Sequence, residues 1–371
     1  MKRILVINPG STSTKAAIYE DMACVASESI KMDQEVLEAT DRIVEQLKLR
    51  TEQIAGFIGQ NGLKVTDFDI IAARGGMLPA CRGGAYRVNK LMVDVLRFTS
   101  KGQHASNLGC MIGLRLTEGL DLPVIVYDPL TVDEMDETAK MTGLPEIRLE
   151  PIVHVLNSRK VCRDVASKMG IDYKEGNFIV AHLGGGVSIT AHEHGKLADF
   201  LSTSTGPMSP ERAGGLPTAA LVDLCFSGKY TKKEIMKKLA GGGGFKAWLG
   251  TSDALEAEAR ALKGDETAAK VFAAMSRQTA KAIGDLYAAL GCRVDAIIFT
   301  GAMANSNLLL DPIIRLVSPM GPIEIMPGER EMEALAEGAL RVLNGLEEAK
   351  VYDILPPGFN SAEEFYAAYG D

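Results

Sequence analysis

The sequence predicts an α/β fold that has been doubled into two lobes, each built on a mixed sheet, with an active cleft between them. Two observations carry this. The strand-turn-strand Ile4-Leu-Val-Ile-Asn8-Pro-Gly10-Ser11-Thr12-Ser13-Thr14-Lys15-Ala-Ala-Ile18 recurs as Phe178-Ile-Val-Ala-His182-Leu-Gly184-Gly185-Gly186-Val-Ser-Ile-Thr190. Aligning Asn8 with His182 also aligns Gly10 with Gly184, and the offset of 174 residues is close to half of the 371 in the chain.

Glycine- and hydroxyl-rich hairpin turns offer backbone N–H groups to an anion with no side chain in the way. Two such turns facing one another would clamp a polyphosphate; a single one would be read as an ordinary hairpin. Neither is a Walker A loop, because no glycine precedes Lys15 and Ala-Ala-Ile-Tyr continues as a strand. Nor is Gly184-Gly185-Gly186 a dinucleotide fingerprint, since Val-Ser-Ile-Thr-Ala is again extended.

In chain order, the two strands of the first hairpin precede a helix over 35–49, an amphipathic segment over 52–61 and a strand over 70–73 that enters the loop Arg74-Gly75-Gly76. A helix over 88–99, a helical small-residue stretch over 101–113 and a strand over 124–127 follow. After the second hairpin, a Gly/Pro/Ser-rich loop spans 202–217, then come a helix, a glycine run at 241–244 and an alanine-rich helix over 265–290. The strand 296–300 runs into Gly301-Ala302-Met303-Ala304, and a last helix over 331–346 carries Leu335, Ala339, Leu340 and Leu343 at helical spacing. The expected domains are an N-terminal lobe over 1–150, with 347–371 packing back on it, and a C-terminal lobe over 151–346.

The chain has 46% hydrophobic residues, enough for two cores, and a net charge of −8 that argues against nucleic acid or an anionic membrane as partner. Its apolar runs have the length of buried strands, not of membrane spans. Behind Lys2-Arg3 the apolar stretch ends after four residues, unlike a signal peptide, so a cytoplasmic location is expected. Six scattered cysteines without a C-x-x-C pair fit reduced, buried thiols. His192-Glu-His194 reads as solvated turn residues more readily than as metal ligands.

Four motifs then lead to a family: NPGSTSTK at 8–15, HLGGG at 182–186, ER-x-GG at 211–215 and FTGAMAN at 299–305. Together they resemble the acetate kinase family, in particular its butyrate kinases, within the actin-like ATPase (ribonuclease H-like) superfold of actin, sugar kinases and Hsp70. The resemblance covers essentially the whole chain. It implies reversible in-line transfer of phosphate from ATP to a short-chain carboxylate, giving ADP and an acyl phosphate, with Mg2+ as cofactor. Such an acceptor is already ionised and needs no general base, so the site should be rich in cations.

By this resemblance Arg74 and Arg212 grip the carboxylate and the transferring phosphoryl, each beside a glycine pair that permits close approach. His154 hydrogen-bonds the phosphoryl, and His182 opens the second phosphate loop with Gly184, Gly185 and Gly186. Asn8 to Lys15, with Gly10, Ser11, Thr12, Ser13 and Thr14, form the first loop, and Gly301, Ala302, Met303 and Ala304 the adenosine motif, which lacks the second glycine of acetate kinases. Asp128 matches the family's essential aspartate and is assigned to positioning magnesium, water or an arginine, with a helix cap before Pro129 as the plain alternative. Magnesium falls to Asn8 and Glu333, with Glu331 and Glu329 near enough to exchange for the latter. His104 matches a third histidine of the cleft, or is structural.

Acetate kinases carry bulkier residues where this chain has Gly76 and Val153, so a longer acid such as butyrate is expected, favoured over acetate by roughly tenfold at about 0.8 kcal/mol per methylene. A branched-chain (isobutyrate) kinase, or a propionate or acetate kinase, is the runner-up. An actin- or Hsp70-like conformational ATPase is the non-enzyme alternative. A homo-oligomer, dimer or higher, is expected.

Overall fold

The first sheet grows outward from β1 (Arg3–Pro9), whose residues 4–9 are all buried, in a computed structural model that describes residues 1–40, 42–98 and 104–369. The predicted stretches ending at 99 and beginning at 101 therefore lie partly outside the described residues, as do 370 and 371. After β1 come β2 (Ser13–Glu20), β3 (Ala23–Lys31), β4 (Ile70–Arg74), β5 (Ala85–Arg87) and β6 (Val124–Tyr127). The second sheet holds β7 (Asn177–Leu183), β8 (Val187–Glu193), β9 (Lys196–Leu201), β10 (Ala296–Gly301) and β11 (Ile323–Pro327); β12 (Lys350–Val351) returns to the first.

The strand orders are β12-β5-β6-β4-β1-β2-β3 and β11-β10-β7-β8-β9. Each contains the same nucleus: an antiparallel three-strand meander whose first strand has a parallel neighbour, β4 beside β1 and β10 beside β7. Duplication is thus present in topology as well as in the turns. The outer strands β3 and β11 carry little hydrophobic patterning because they are mostly exposed or half-exposed edges, although Ala26 and Ile30 of β3 and Ile323 and Met326 of β11 pack partly buried against the cores.

Two compact units result, Met1–Glu134 with Arg330–Asp371, and Met135–Glu329. Against the expected changes at 150 and 346, the chain changes unit at 134 and 329, because the helix Glu331–Leu343 packs on β1, β4 and β6. In the first unit Leu5, Ile7 and Ile71 share a core with Ile54, Phe57 and Ile58 of the helix Leu47–Gln60, and Tyr352 and Phe365 of the final segment join it. In the second, the period of two sorts β7 between two cores. Ile179 and Ala181 pack with Phe272, Met275 and Ile283 of the helix Glu266–Ala289, whereas Phe178 and Val180 pack with Val161 and Val165 of the helix Val155–Met169. All six cysteines are free thiols; Cys81, Cys110 and Cys162 are buried as expected, while Cys24, Cys225 and Cys292 are exposed.

Candidate active site

In the first unit, β1, β4 and β6 run parallel side by side, with Ile7 beside Ala73 and Arg74 beside Tyr127. Asn8, Arg74 and Asp128 therefore lie at the carboxyl ends of three adjacent parallel strands, where open α/β sheets hold their ligands. The Asn8 amide donates from Nδ2 to Oε2 of Glu331 at 2.8 Å, and Arg74 Nη1 forms an ion pair with the same oxygen. Both side chains of that ion pair are nearly enclosed, so it is held in a low-dielectric setting.

Asn8 and Arg74 thus converge on Glu331, one of the two alternatives to Glu333 named from the sequence. Glu331, the first residue of its helix, meets Asn8; Glu333, two residues on, lies within electrostatic range of Tyr19, and Glu329 is exposed. With Nδ2 committed to Glu331, the Asn8 carbonyl oxygen is the atom of that amide suited to a hard cation.

Asp128 is buried and has φ +41°, in the left-handed region that few non-glycine residues enter. No helix follows it, so the capping alternative does not apply. Its carboxylate accepts from Gly84 N at 2.8 Å, while its own N–H donates to the Gly84 carbonyl at 3.2 Å, and this double tether holds the conformation. His104 accepts from Ser106 N at 3.3 Å as the cap of a short 3-10 turn, and its Nδ1 is 2.6 Å from Ser106 Oγ. Desolvation, then the Arg74 charge, lower its pKa against an opposing pull from Glu331, so His104 belongs to the same cluster.

Gly76 is packed tightly against Asn107. A Cβ there would run into Asn107, with the Asn107 Cα only 2.7 Å away, and Asn107 Oδ1 accepts from Met77 N at 2.9 Å. The absent side chain is a packing requirement of this loop. The first turn itself is tight: Gly10 N donates to the Ser13 carbonyl at 2.7 Å and Met32 N to that of Thr12 at 2.9 Å, with Ser11 and Thr12 exposed and Thr14 buried. Lys15 pairs with Asn8 across the hairpin and is exposed.

In the second unit, His154 and His182 stack with centroids 4.0 Å apart and planes 15° from parallel. His154 Nδ1 lies 3.0 Å from Ser188 Oγ. The orientation of His182 is set by a relay: the Thr300 hydroxyl donates to the Gly328 carbonyl, Asn157 Nδ2 donates to Thr300 Oγ1 at 3.3 Å, and the same amide is 3.0 Å from His182 Nδ1. In this arrangement Nδ1 of His182 accepts and its proton sits on Nε2. Asn157 and Ser188 were not singled out in the sequence; only the His-x-x-Asn spacing at a helix start hinted at the first.

The second turn closes with Gly184 N on the Gly186 carbonyl at 3.1 Å, and the Gly185 carbonyl accepts from Ser209 Oγ at 2.7 Å and Glu211 N at 3.4 Å. Gly301 has φ +88°, and a Cβ there would lie 2.8 Å from the backbone of Leu183, so only glycine lets β10 end against this turn. Gly301 is buried and Met303 and Ala304 face the core, which leaves Ala302 as the exposed residue of these four. Arg212 is loosely held, with Nη1 3.4 Å from the Glu211 carbonyl and 3.5 Å from its carboxylate. Val153 is buried just before His154.

His192 departs from the sequence expectation. It is fully buried, with Nδ1 2.9 Å from Tyr173 OH and Nε2 3.1 Å from both Thr190 Oγ1 and Ser158 Oγ, whereas His194 is an exposed turn residue with φ +48°. The reason is the pleat: His192 points with Thr190 to the face of the sheet covered by the helix Val155–Met169.

The acetokinase family model matches residues 153–338. "Butyrate kinase 2" of Clostridium acetobutylicum is 44% identical over 352 residues, covering 94% of this chain and 99% of that one. "Probable butyrate kinase 2" of Caldanaerobacter subterraneus subsp. tengcongensis is 44% identical over 353 residues, or 95% of this chain and 100% of that one. The crystal structure of Porphyromonas gingivalis acetate kinase has the same fold, with a TM-score of 0.78 at 18% identity over 92% of this chain and all of that one. The fold is therefore the actin-like ATPase fold of acetate kinases, and the chain belongs to the acetokinase family.

Proposed function

We propose that this chain is a short-chain fatty acid kinase that converts ATP and butyrate reversibly into ADP and butyryl phosphate. The observation that carries this reading is the 44% identity, over nearly the whole length, to a protein named butyrate kinase 2. The chemistry of the residues agrees with it. An ionised carboxylate attacks without a base, so the protein's work is to hold anions together and stabilise a planar phosphoryl group.

In this reading the turns at 10–14 and 184–186 hold nucleotide phosphates, and Gly301-Ala302 lies against the nucleoside. Arg74 receives the carboxylate, and Arg212 reaches the phosphoryl because its own ties are weak. His154, with Nδ1 accepting from Ser188, donates from Nε2 to a phosphoryl oxygen. Asp128 positions a cation or its water.

Magnesium fits the donors present. Asn8 and Glu331 supply oxygen, and among the described residues there is no group of three or more His, Cys, Asp or Glu that could cage a metal, as expected for an ion held mostly by phosphate and water. When bound, it neutralises charge on the phosphates.

Among the described residues no helix is long and apolar enough to cross a membrane. Phe226, Val222 and Trp248 of the second unit are exposed large apolar side chains, which supports a homo-oligomer testable by sedimentation.

The decisive assay supplies ATP and magnesium with acetate, propionate, butyrate, isobutyrate or valerate and traps acyl phosphate with hydroxylamine, then runs butyryl phosphate with ADP in reverse. Failure in both directions for every acid overturns the reading; a preference for isobutyrate or propionate revises only the acid.

A further inference from the structure

Arg50, on the helix Leu47–Gln60, is completely buried, with 0% of its surface exposed. Nη1 donates to the Ser13 carbonyl at 3.1 Å and to Thr14 Oγ1 at 2.9 Å. Nη2 donates to the Ser11 carbonyl at 3.2 Å and to Gln46 Oε1 at 2.9 Å, and Nε donates to that same oxygen at 3.1 Å. A guanidinium has five N–H donors. All of them are used here, three of them on the first turn.

The acceptors are all neutral. Among the described residues no carboxylate pairs with Arg50, although burying a charge without a counter-ion is costly. Burial lowers its pKa to about 10, which still leaves it charged at neutral pH. Gln46 is itself oriented: its Nε2 donates to Thr40 Oγ1 at 2.9 Å, and the Thr40 hydroxyl donates to the Val36 carbonyl at 3.0 Å, so Oε1 is the end turned to Arg50.

This arrangement does two things to the turn. Carbonyl oxygens, which would repel a phosphate, are drawn into the protein. A full positive charge is also stored beneath the turn in a poorly screened place, with no carboxylate paired to it among the described residues.

We propose that Arg50 is a positioning residue for the nucleotide phosphates: it pulls the Ser11 and Ser13 carbonyls and the Thr14 hydroxyl inward, and its charge is met only when the polyphosphate binds. The inference rests on the reading of 10–14 as a phosphate loop. It adds the residue that shapes the loop and the anion that serves as its counter-ion.

Arg50→Met removes too many buried bonds to be a clean test. Gln46→Glu is cleaner, because it keeps the acceptor in place and supplies the missing carboxylate, while the Thr40 hydroxyl can turn to donate to the oxygen that replaces Nε2. The expected result is a melting temperature equal to or above that of the parent protein, a KM for ATP raised about tenfold, and little change in kcat or in the KM for butyrate. A brace with a merely structural role would be tightened by the same change with no effect on ATP, and that outcome overturns the inference. A fall in melting temperature overturns it too, since a guanidinium lacking a counter-ion should accept one. Thr12→Glu, on the exposed part of the turn, separates the two levels. If it raises the KM for ATP while Gln46→Glu does not, only the role of Arg50 falls. If neither variant affects ATP, the phosphate-loop reading falls with it.

Discussion

The first and second glycine turns come from one motif, yet they rest on different supports. Behind the first stands the buried charge of Arg50, bonded to Ser11, Ser13 and Thr14. Against the second lie a hydroxyl and an amide, Ser209 Oγ and Glu211 N, both on the Gly185 carbonyl. Each support is delivered by the chain that follows the third strand of its sheet, the helix Leu47–Gln60 after β3 and the loop 202–217 after β9. Duplication preserved the hairpin, whose geometry is local, and left its backing to be rebuilt in each half. The two arginines proposed for the site differ in the same way. Arg74 is locked to Glu331 and nearly enclosed; Arg212 has 30% of its side chain exposed and, among the described residues, its guanidinium is held by its neighbour Glu211 alone.

The sharpest break in this comparison comes from the two arginines. Arg212→Ala should lower kcat by about 10²–10³ with the melting temperature and the KM for ATP little changed, and Arg212→Lys should recover only part, lacking the fork. Arg74→Ala should lose activity and also about 3 kcal/mol of stability, because Glu331 is left buried without its counter-charge. Equal stability of the two variants in denaturant melts would refute the contrast between a locked and a loosely held arginine.

Gly301→Ala tests the support of the second turn. Its Cβ meets the Leu183 backbone at a left-handed φ, so nucleotide affinity and melting temperature should both drop, by about 2–3 kcal/mol in stability. Gly10→Ala, whose Cβ would sit 3.3 Å from the Ser13 carbonyl at an ordinary φ, should cost much less. A smaller effect is expected for Gly76→Val. The clash with Asn107 should destabilise by about 1–3 kcal/mol and lower kcat/KM for acetate and butyrate alike; selective loss of butyrate would place Gly76 in the acyl pocket.

The smallest effect separates the two third strands. β3 is mostly exposed, whereas β9 carries half-buried Asp199, whose pKa is raised by burial and by the Asp136 charge against a bond from Phe200 N. A raised carboxyl pKa means that the folded state holds the proton more tightly than the unfolded one, so stability is lost as pH rises through the folded value. Asp199→Asn should therefore raise the melting temperature slightly at pH 7. The gain should shrink as the pH falls toward the ordinary carboxyl range.

Much of this was legible in the residues because it depends on neighbours in sequence. Buried strands declared themselves by β-branched runs, the turns by glycine and hydroxyl clusters, and the helix Glu266–Ala289 by its alanine-rich periodicity. The edge strands β3 and β11 did not, since an exposed strand needs no apolar alternation. Arg50 was silent for a different reason: an arginine on an amphipathic helix reads as solvated, and nothing local says that its guanidinium will be enclosed by a turn almost forty residues earlier. His192 was misread on the same ground, with its partners Tyr173 and Ser158 on other elements.

By itself, then, the sequence determined the doubled α/β plan, the two glycine-rich turns and the family, because these are written in contiguous motifs with a fixed local geometry. Tertiary structure alone decided that Asn8 and Arg74 meet Glu331 and not Glu333, that Asn107 fills the space beside Gly76, and that a neutral-partnered guanidinium lies beneath the first turn. Those outcomes depend on which side chains converge from distant strands and helices into one dry volume, where a shift of two residues along a helix turns a side chain through about 200°, just over half a revolution.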